Sequence, residues 1–155
     1  MSVCFSKGLG APVGSALAGS RDFVARARRV RKLFGGGMRQ VGVLAAAALH
    51  ALDHHIDRLA DDHRNARVLA AAVADTPGLR LHPPEVETNL VWVEVDPDLG
   101  TAKDVVAALK EKGVLVLEEG PQTFRACTHL DVSAAQAQRA ADTIRRTVQR
   151  LVPAR

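Results

Sequence analysis

The residues of this chain best suited to covalent chemistry lie at its start. There Ser6-Lys7-Gly8-Leu9-Gly10-Ala11-Pro12-Val13-Gly14 sets one lysine among three glycines at the end of an expected strand. An ε-amine becomes a nucleophile toward carbonyls when burial and its neighbours lower its pKa. Glycines let a cofactor come close to the backbone. Taken by itself a single lysine is by default a solvated surface residue, so this reading needs context. The glycines are not a dinucleotide fingerprint: the third position of G-x-G-x-x-G falls on Val13, Pro12 intrudes, and no helix starts there. Nor is there a G-x-x-x-x-G-K-[ST] phosphate loop.

Charge is the second signal. Seven basic residues (Arg21, Arg26, Arg28, Arg29, Arg31, Lys32, Arg39) face one acid, Asp22, leaving 14 basic and 16 acidic residues elsewhere. The net charge of +4 is therefore one local stripe. Phe23, Ala27, Val30 and Phe34 recur at i, i+4, i+7 and i+11, which predicts a helix with an inward apolar face and arginines around the rest. Such a stripe is either a solvated face or a site for anions, nucleic acid included. His50, His54 and His55 include an i, i+4 pair able to ligate a metal. No cysteine or third helical ligand joins them, and no metal is expected. Asp61-Asp62 and Glu118-Glu119 are adjacent carboxylates of the kind that is usually solvated, with weak contacts such as Asp61 to Arg64 as their expected use. His63 and His129 are expected to be structural.

Order and spacing supply the missing context. S-K-G-L-G-A-P-x-G at 6–14, RARRVRK, G-G-G-M-R-Q at 35–40, LADDH, TNLVWVEV and T-H-L-D at 128–131 follow one another along the chain. Together they span essentially all of it, and the whole resembles the C-terminal part of the low-specificity L-threonine aldolases. These are pyridoxal-phosphate lyases of the aspartate-aminotransferase fold type, fold type I. By this resemblance Lys7 matches the lysine that binds the cofactor covalently and is displaced by the incoming amino acid. Lys32 and Arg39 match basic residues that reach the cofactor phosphate of a neighbouring subunit, Arg39 in an intact Met-Arg-Gln setting. Arg125, in R-x-x-T-H-L-D, matches the arginine that grips the substrate α-carboxylate, a task suited to a planar bidentate guanidinium. Cys127 stands where valine is expected.

The resemblance implies an α/β fold of type I, with an incomplete tail of the large cofactor-binding domain over 1–75 and a small α+β domain over 76–155. It implies cleavage of L-threonine or L-allo-threonine to glycine and acetaldehyde. The partner is expected to be a further copy, in a dimer or tetramer, or a missing N-terminal chain. The family's glycine/threonine phosphate cup, ring-stacking histidine and pyridine-pairing aspartate have no match here, so the chain alone is expected to be inactive. Two rivals stay open: a non-catalytic fragment that oligomerises or binds nucleic acid through Arg26 to Lys32, and another pyridoxal-phosphate lyase that acts by β-elimination.

Those residues need elements to carry them, and 155 residues suffice for one domain or somewhat more. With 47% apolar and 25% charged residues, collagen-like, purely coiled-coil and disordered classes are poorly supported. Aromatics, at 3% with Trp92 the one tryptophan, are too scarce for a base-stacking platform or an aromatic-girdled barrel. Alanine, valine and leucine must build the core. Cys4 and Cys127 match neither a disulfide framework nor a zinc spacing, which points to a reducing cytoplasm. No run approaches 18 apolar residues, so no membrane span is expected. Gly8, Gly10, Pro12 and Gly14 would break the core of any signal peptide.

Strands are expected at Ser2–Phe5 and Val13–Ala18, then a basic helix ended by Gly35-Gly36-Gly37 in a positive-φ turn. A helical region from Met38 to Ala74 should break near Leu52–Ile56. Strands follow at Leu79–His82, Asn89–Val95, Val114–Leu117 and Phe124–Leu130. Helices are expected at Ala102–Lys112 behind Thr101 and at Ala134–Leu151 behind Ser133. The order β, β, α, β, β, α predicts a three- or four-stranded, largely antiparallel sheet with helices on one face.

Overall fold

The computed structural model describes residues 1–151. They divide into two compact units, Met1–Leu59 and the residues from Ala60 onward. In the first, β1 (Ser2–Cys4) pairs antiparallel with β2 (Ser15–Leu17), Val3 opposite Ala16. Helix α1 (Arg21–Leu33) starts behind Ser20, whose hydroxyl accepts from the Phe23 N–H. Its exit is the glycine turn, where Gly35 takes a φ of 77°, a conformation that costs glycine nothing. Helix α2 (Gly42–His54) follows. The core of this unit is small: Leu9, Ala11 and Ala51, with Phe5 and Leu59 packed on them. The inward apolar face expected of α1 is not found. None of its residues is buried, and Phe23, Val30 and Phe34 are exposed. Periodicity marks an apolar face but does not supply its cover.

The helical region does break, at residues 55–58, before α3 (Leu59–Ala74). The second unit is built on β3 (Leu79–Leu81), β4 (Leu90–Val95), β5 (Leu117–Gly120) and β6 (Thr123–Cys127), with α4 (Ala102–Glu111) and α5 (Ala134–Leu151). The sheet is antiparallel throughout, in the order β3-β4-β6-β5. Side chains alternate between faces along a strand. Val91, Val93 and Val95 of β4 therefore share a face with Phe124 and Ala126 of β6, Val93 opposite Phe124 and Val91 opposite Ala126. These five are buried in one cluster with Leu69 and Val73 of α3, Val105 and Leu109 of α4, and Ile144 and Val148 of α5. Three helices thus cover one face. The other face carries Arg80, Trp92, Glu94 and Arg125.

Three local expectations need correction. The third strand of the second unit begins at Leu117 rather than Val114, because the Val114 N–H bonds the Leu109 carbonyl and serves the exit of α4. The last strand stops at Cys127, short of Leu130, and a single 3-10 turn at Pro97–Leu99 was not foreseen. Asp62, read as a solvated carboxylate, is 1% exposed on the inner side of α3. At the sheet edge, β5 is bulged between Glu118 and Gly120.

Helix α4 is closed by a reciprocal cap. The Thr101 hydroxyl accepts from the Asp104 N–H at 3.3 Å, and the Thr101 N–H donates to the Asp104 carboxylate at 2.9 Å. The Thr101 hydroxyl, then its N–H, hold the Asp104 carboxyl below the ordinary aspartate value. A group depressed in the folded state stabilises above its unfolded value, and the contribution is lost as pH falls through the folded one. Thr101→Ala is therefore expected to lower the urea midpoint at neutral pH, as loss of an N-cap does, and to lower it by less in acid. Urea midpoints of both chains at the two pH values check this.

Candidate functional site

Lys7 stands in a tight turn directly after β1. The Gly10 N–H closes the turn on the Lys7 carbonyl at 2.8 Å. The Phe5 N–H reaches Gly14 O at 2.9 Å and the Ala11 N–H reaches Phe5 O at 3.0 Å, so the turn is tied at both ends. Gly10 has a φ of 71°, which explains glycine there. Leu9 and Ala11 anchor the turn in the core, and the Lys7 side chain is left exposed. Two side chains from further along cap its outer carbonyls: His55 Nδ1 lies 2.6 Å from Leu9 O and Arg58 Nη1 3.1 Å from Gly8 O. The Lys7 backbone is thus fixed, while its side chain is exposed.

Lys32 and Arg39 flank the glycine turn that ends α1, and both are exposed. A Cβ built on Gly37 would meet Lys32 Nζ at 3.7 Å, so the amine hangs over the turn that leads to Arg39. Next to Arg39, Gln40 has a φ of 54°, a left-handed conformation costing a side chain about 1 kcal/mol or more. Among the described residues the side chains of Lys7, Lys32 and Arg39 form no hydrogen bond or ion pair, which leaves three cations of this unit able to meet an anion or carbonyl. The imidazoles of His50 and His54 lie 4.5 Å apart between ring centres, with His55 5.5 Å from His50. No group of three metal-ligating side chains is found among the described residues.

Arg125 belongs to the second unit. It lies on the open face of the sheet, opposite Trp92 of β4 and Leu117 of β5. Its guanidinium carbon is 5.3 Å from the centre of the Trp92 ring, and Nη2 is 3.1 Å from Glu119 Oε1. Glu119 is thus an ion-pair partner and not the freely solvated carboxylate expected. The Trp92 ring face and the Glu119 carboxylate together set the orientation of the guanidinium. Partial burial raises the nearby Cys127 thiol above its ordinary value, against the pull of Arg125. A cleft of about 530 Å³ in this unit is lined by Cys127, His129 and α5, and Arg125 is not part of it.

The T-H-L-D string turns out to fasten the strand that carries Arg125. The buried Thr128 gives its hydroxyl to Asp62 O at 2.7 Å and its N–H to Asn89 O at 3.0 Å, while Asn89 Nδ2 returns a bond to Thr128 O at 2.8 Å. Asn65 Nδ2 reaches Val132 O at 2.9 Å. His129 Nδ1 accepts the Asp131 N–H at 3.2 Å. Sequence reasoning missed Trp92, Glu119, His55 and Arg58 as neighbours of the candidate residues. Trp92 could have been found from the alternation of its strand, had the register with β6 been known. The other three carried no signal.

With this geometry in hand, comparison with known proteins finds a match to the beta-eliminating lyase family over residues 1–96. The chain belongs to the beta-eliminating lyase family. Low-specificity L-threonine aldolase 1 of Arabidopsis thaliana is 40% identical over 136 residues, covering 87% of this chain and 38% of that protein. The low specificity L-threonine aldolase of Escherichia coli K12 is 41% identical over 135 residues, with the same coverage of each. The chain thus spans well under half the length of these curated relatives. In fold, 8-amino-7-oxononanoate synthase of Francisella tularensis superposes with a TM-score of 0.71 at 16% identity, over 96% of this chain and 45% of that one. The architecture is therefore that of part of a fold-type-I enzyme, α/β as expected. Members of the beta-eliminating lyase family and their threonine aldolase relatives use pyridoxal phosphate. The residues present fit that group by their chemistry: a primary amine on a fixed turn for its aldehyde, and cations for its phosphate. No helix is long and apolar enough to cross a membrane among the described residues.

Proposed function

We propose that this chain carries the lysine-bearing and carboxylate-binding parts of a pyridoxal-phosphate aldolase that cleaves L-threonine or L-allo-threonine to glycine and acetaldehyde. The observation that carries the reading is the Lys7 turn, a fixed amine inside S-K-G-L-G-A-P-x-G in a chain of this family. Lys7 is the covalent anchor of the cofactor. Lys32 and Arg39 neutralise cofactor phosphate, that of a neighbouring subunit in a homo-oligomer, which gives part of the basic stripe a use. Arg125 grips the α-carboxylate of the amino acid, and Trp92 keeps the guanidinium from turning. When bound, the cofactor takes up the electron pair left on Cα as the Cα–Cβ bond breaks. Holding the carboxylate fixes which bond at Cα faces the cofactor, and alignment of this kind is worth several kcal/mol. Residues 1–75 act as the tail of the cofactor-binding domain and 76–155 as the small domain. Groups that pair with and stack on the cofactor ring have no match here, so the 155 residues alone release no acetaldehyde.

A chimera tests this. The residues that align with the Escherichia coli K12 relative replace the matching segment of that enzyme, and acetaldehyde release from L-threonine is followed. The chimera is expected to cleave L-threonine. A folded chimera that binds cofactor but cleaves neither L-threonine nor L-allo-threonine would sink the reading, and so would threonine cleavage by the purified 155-residue chain as regards its need for other groups.

A further inference from the structure

The two side chains that cap the Lys7 turn come from the place where the long helical region breaks. His55 directly follows α2 and Arg58 directly precedes α3. The carbonyls they reach are consecutive, Gly8 and Leu9, the two middle residues of the turn that Lys7 opens and Gly10 closes. Both side chains are half-buried, and Leu9 is 8% exposed. A carbonyl oxygen only accepts, so His55 carries a proton on Nδ1. That settles its tautomeric form in the neutral state and removes this nitrogen from metal binding. With His55 and Arg58 in place, the middle of the turn is held as firmly as its ends. Without them its two middle carbonyls would turn to water, and the turn would rest on its closing Gly10–Lys7 bond, its ties at Phe5 and the buried Leu9 and Ala11.

We infer that His55, assisted by Arg58, is a positioning residue for the reactive lysine. It acts through the Leu9 carbonyl to hold the turn so that the Lys7 ε-amine projects in one direction toward an incoming aldehyde. The inference rests on the reading of Lys7 as the covalent anchor. It gives the interruption between α2 and α3 a purpose, since those four residues deliver both donors. It also separates His55 from His50 and His54, which have no such tie.

The test uses the 155-residue chain and pyridoxal phosphate. The Lys7 amine condenses with the aldehyde, releasing water, and added borohydride supplies the hydride that turns the C=N bond into a stable secondary amine. Trapping in this way captures adducts too transient to give a lasting absorption band. Peptide mass spectrometry then apportions the label among Lys7, Lys32, Lys103, Lys110 and Lys112. The wild-type chain is expected to carry most of it on Lys7. His55→Asn can place an amide N–H near the position of Nδ1, and His55→Gln places it near Nε2 instead. Asn is therefore expected to keep the Lys7 preference, while Gln and His55→Leu lose it about fivefold, the factor for one hydrogen bond. Hydrogen exchange without cofactor should show the Gly10 and Ala11 amides about fivefold faster in the Gln and Leu chains, with α2 still protected.

A folded His55→Leu chain with the wild-type label pattern and exchange rates overturns the inference. If His55→Leu loses α2 altogether, equal behaviour of the Asn and Gln chains overturns it. A wild-type chain labelled evenly over its five lysines overturns the reading of Lys7 instead, and the exchange comparison still decides the role of His55.

Discussion

Lys7→Ala is expected to abolish the absorption band near the visible edge that pyridoxal phosphate gives with the chimera, whereas Lys103→Ala and Lys110→Ala should leave it intact. The band belongs to the conjugated carbon–nitrogen bond that an amine forms with the cofactor aldehyde, and the proposal places that amine on Lys7. Lys7 has that fixed position because its turn is closed on itself, tied to Phe5 and Gly14, and rooted through Leu9 and Ala11. Lys103 and Lys110 are exposed on α4 of the second unit, outside that glycine turn. If Lys7 is the anchor, its loss should also remove threonine cleavage, with an expected drop of several orders of magnitude, as when a covalent catalyst is deleted. An unchanged band in the Lys7→Ala chimera would show that another amine is the anchor.

Phe124→Ala is the second large effect, and it acts on folding. Phe124, the second residue of β6, is wholly buried opposite Val93, in the cluster that joins the sheet to three helices. Removing a buried phenyl ring costs about 3–5 kcal/mol, against a total of about 5–15 kcal/mol for a typical domain. The variant should unfold at a much lower urea concentration. Phe124→Leu conserves most of the volume and should cost less than about 1.5 kcal/mol. Arg125 rides on the neighbouring residue, so the core variant also tests how far the guanidinium depends on the packing behind it. The Arg125–Glu119 pair, partly covered at the sheet surface, does not support the sheet in the same way, since ion pairs reached by solvent contribute little. Equal midpoints for wild type and Phe124→Ala would mean that the cluster is not the core of this unit.

Much of this was legible from residue order. The S-K-G-L-G-A-P-x-G and G-G-G-M-R-Q strings carried the family by resemblance, and among their residues Gly10 and Gly35 mark turns, both at positive φ. Thr101 and Ser133 marked helix starts since a hydroxyl before an apolar-periodic run has few other uses, and Val91, Val93 and Val95 marked a strand by alternation. What could not be read is which group meets which across the ladder. Glu119 looked like any solvated carboxylate until the register brought β5 against Arg125, and Asp62 like another until α3 turned it inward. The Val114–Val116 run has strand-like residues, but the backbone there is used to leave α4. For α1 the periodicity was right about amphipathicity and silent about what covers it.

The two margins of the four-stranded sheet bear on how the second unit behaves when crowded. A margin with unpaired N–H and C=O groups invites strand addition from another molecule, and short, bulged or charged margins discourage it. Here β3 is three residues long and runs into Pro83 and Pro84, while β5 is bulged and carries Glu118 and Glu119 in the middle of its run. Neither side offers a flat template on which fibrils could grow. Concentrated solutions of this chain should therefore yield amorphous, detergent-soluble precipitate before they yield any material that binds amyloid dyes.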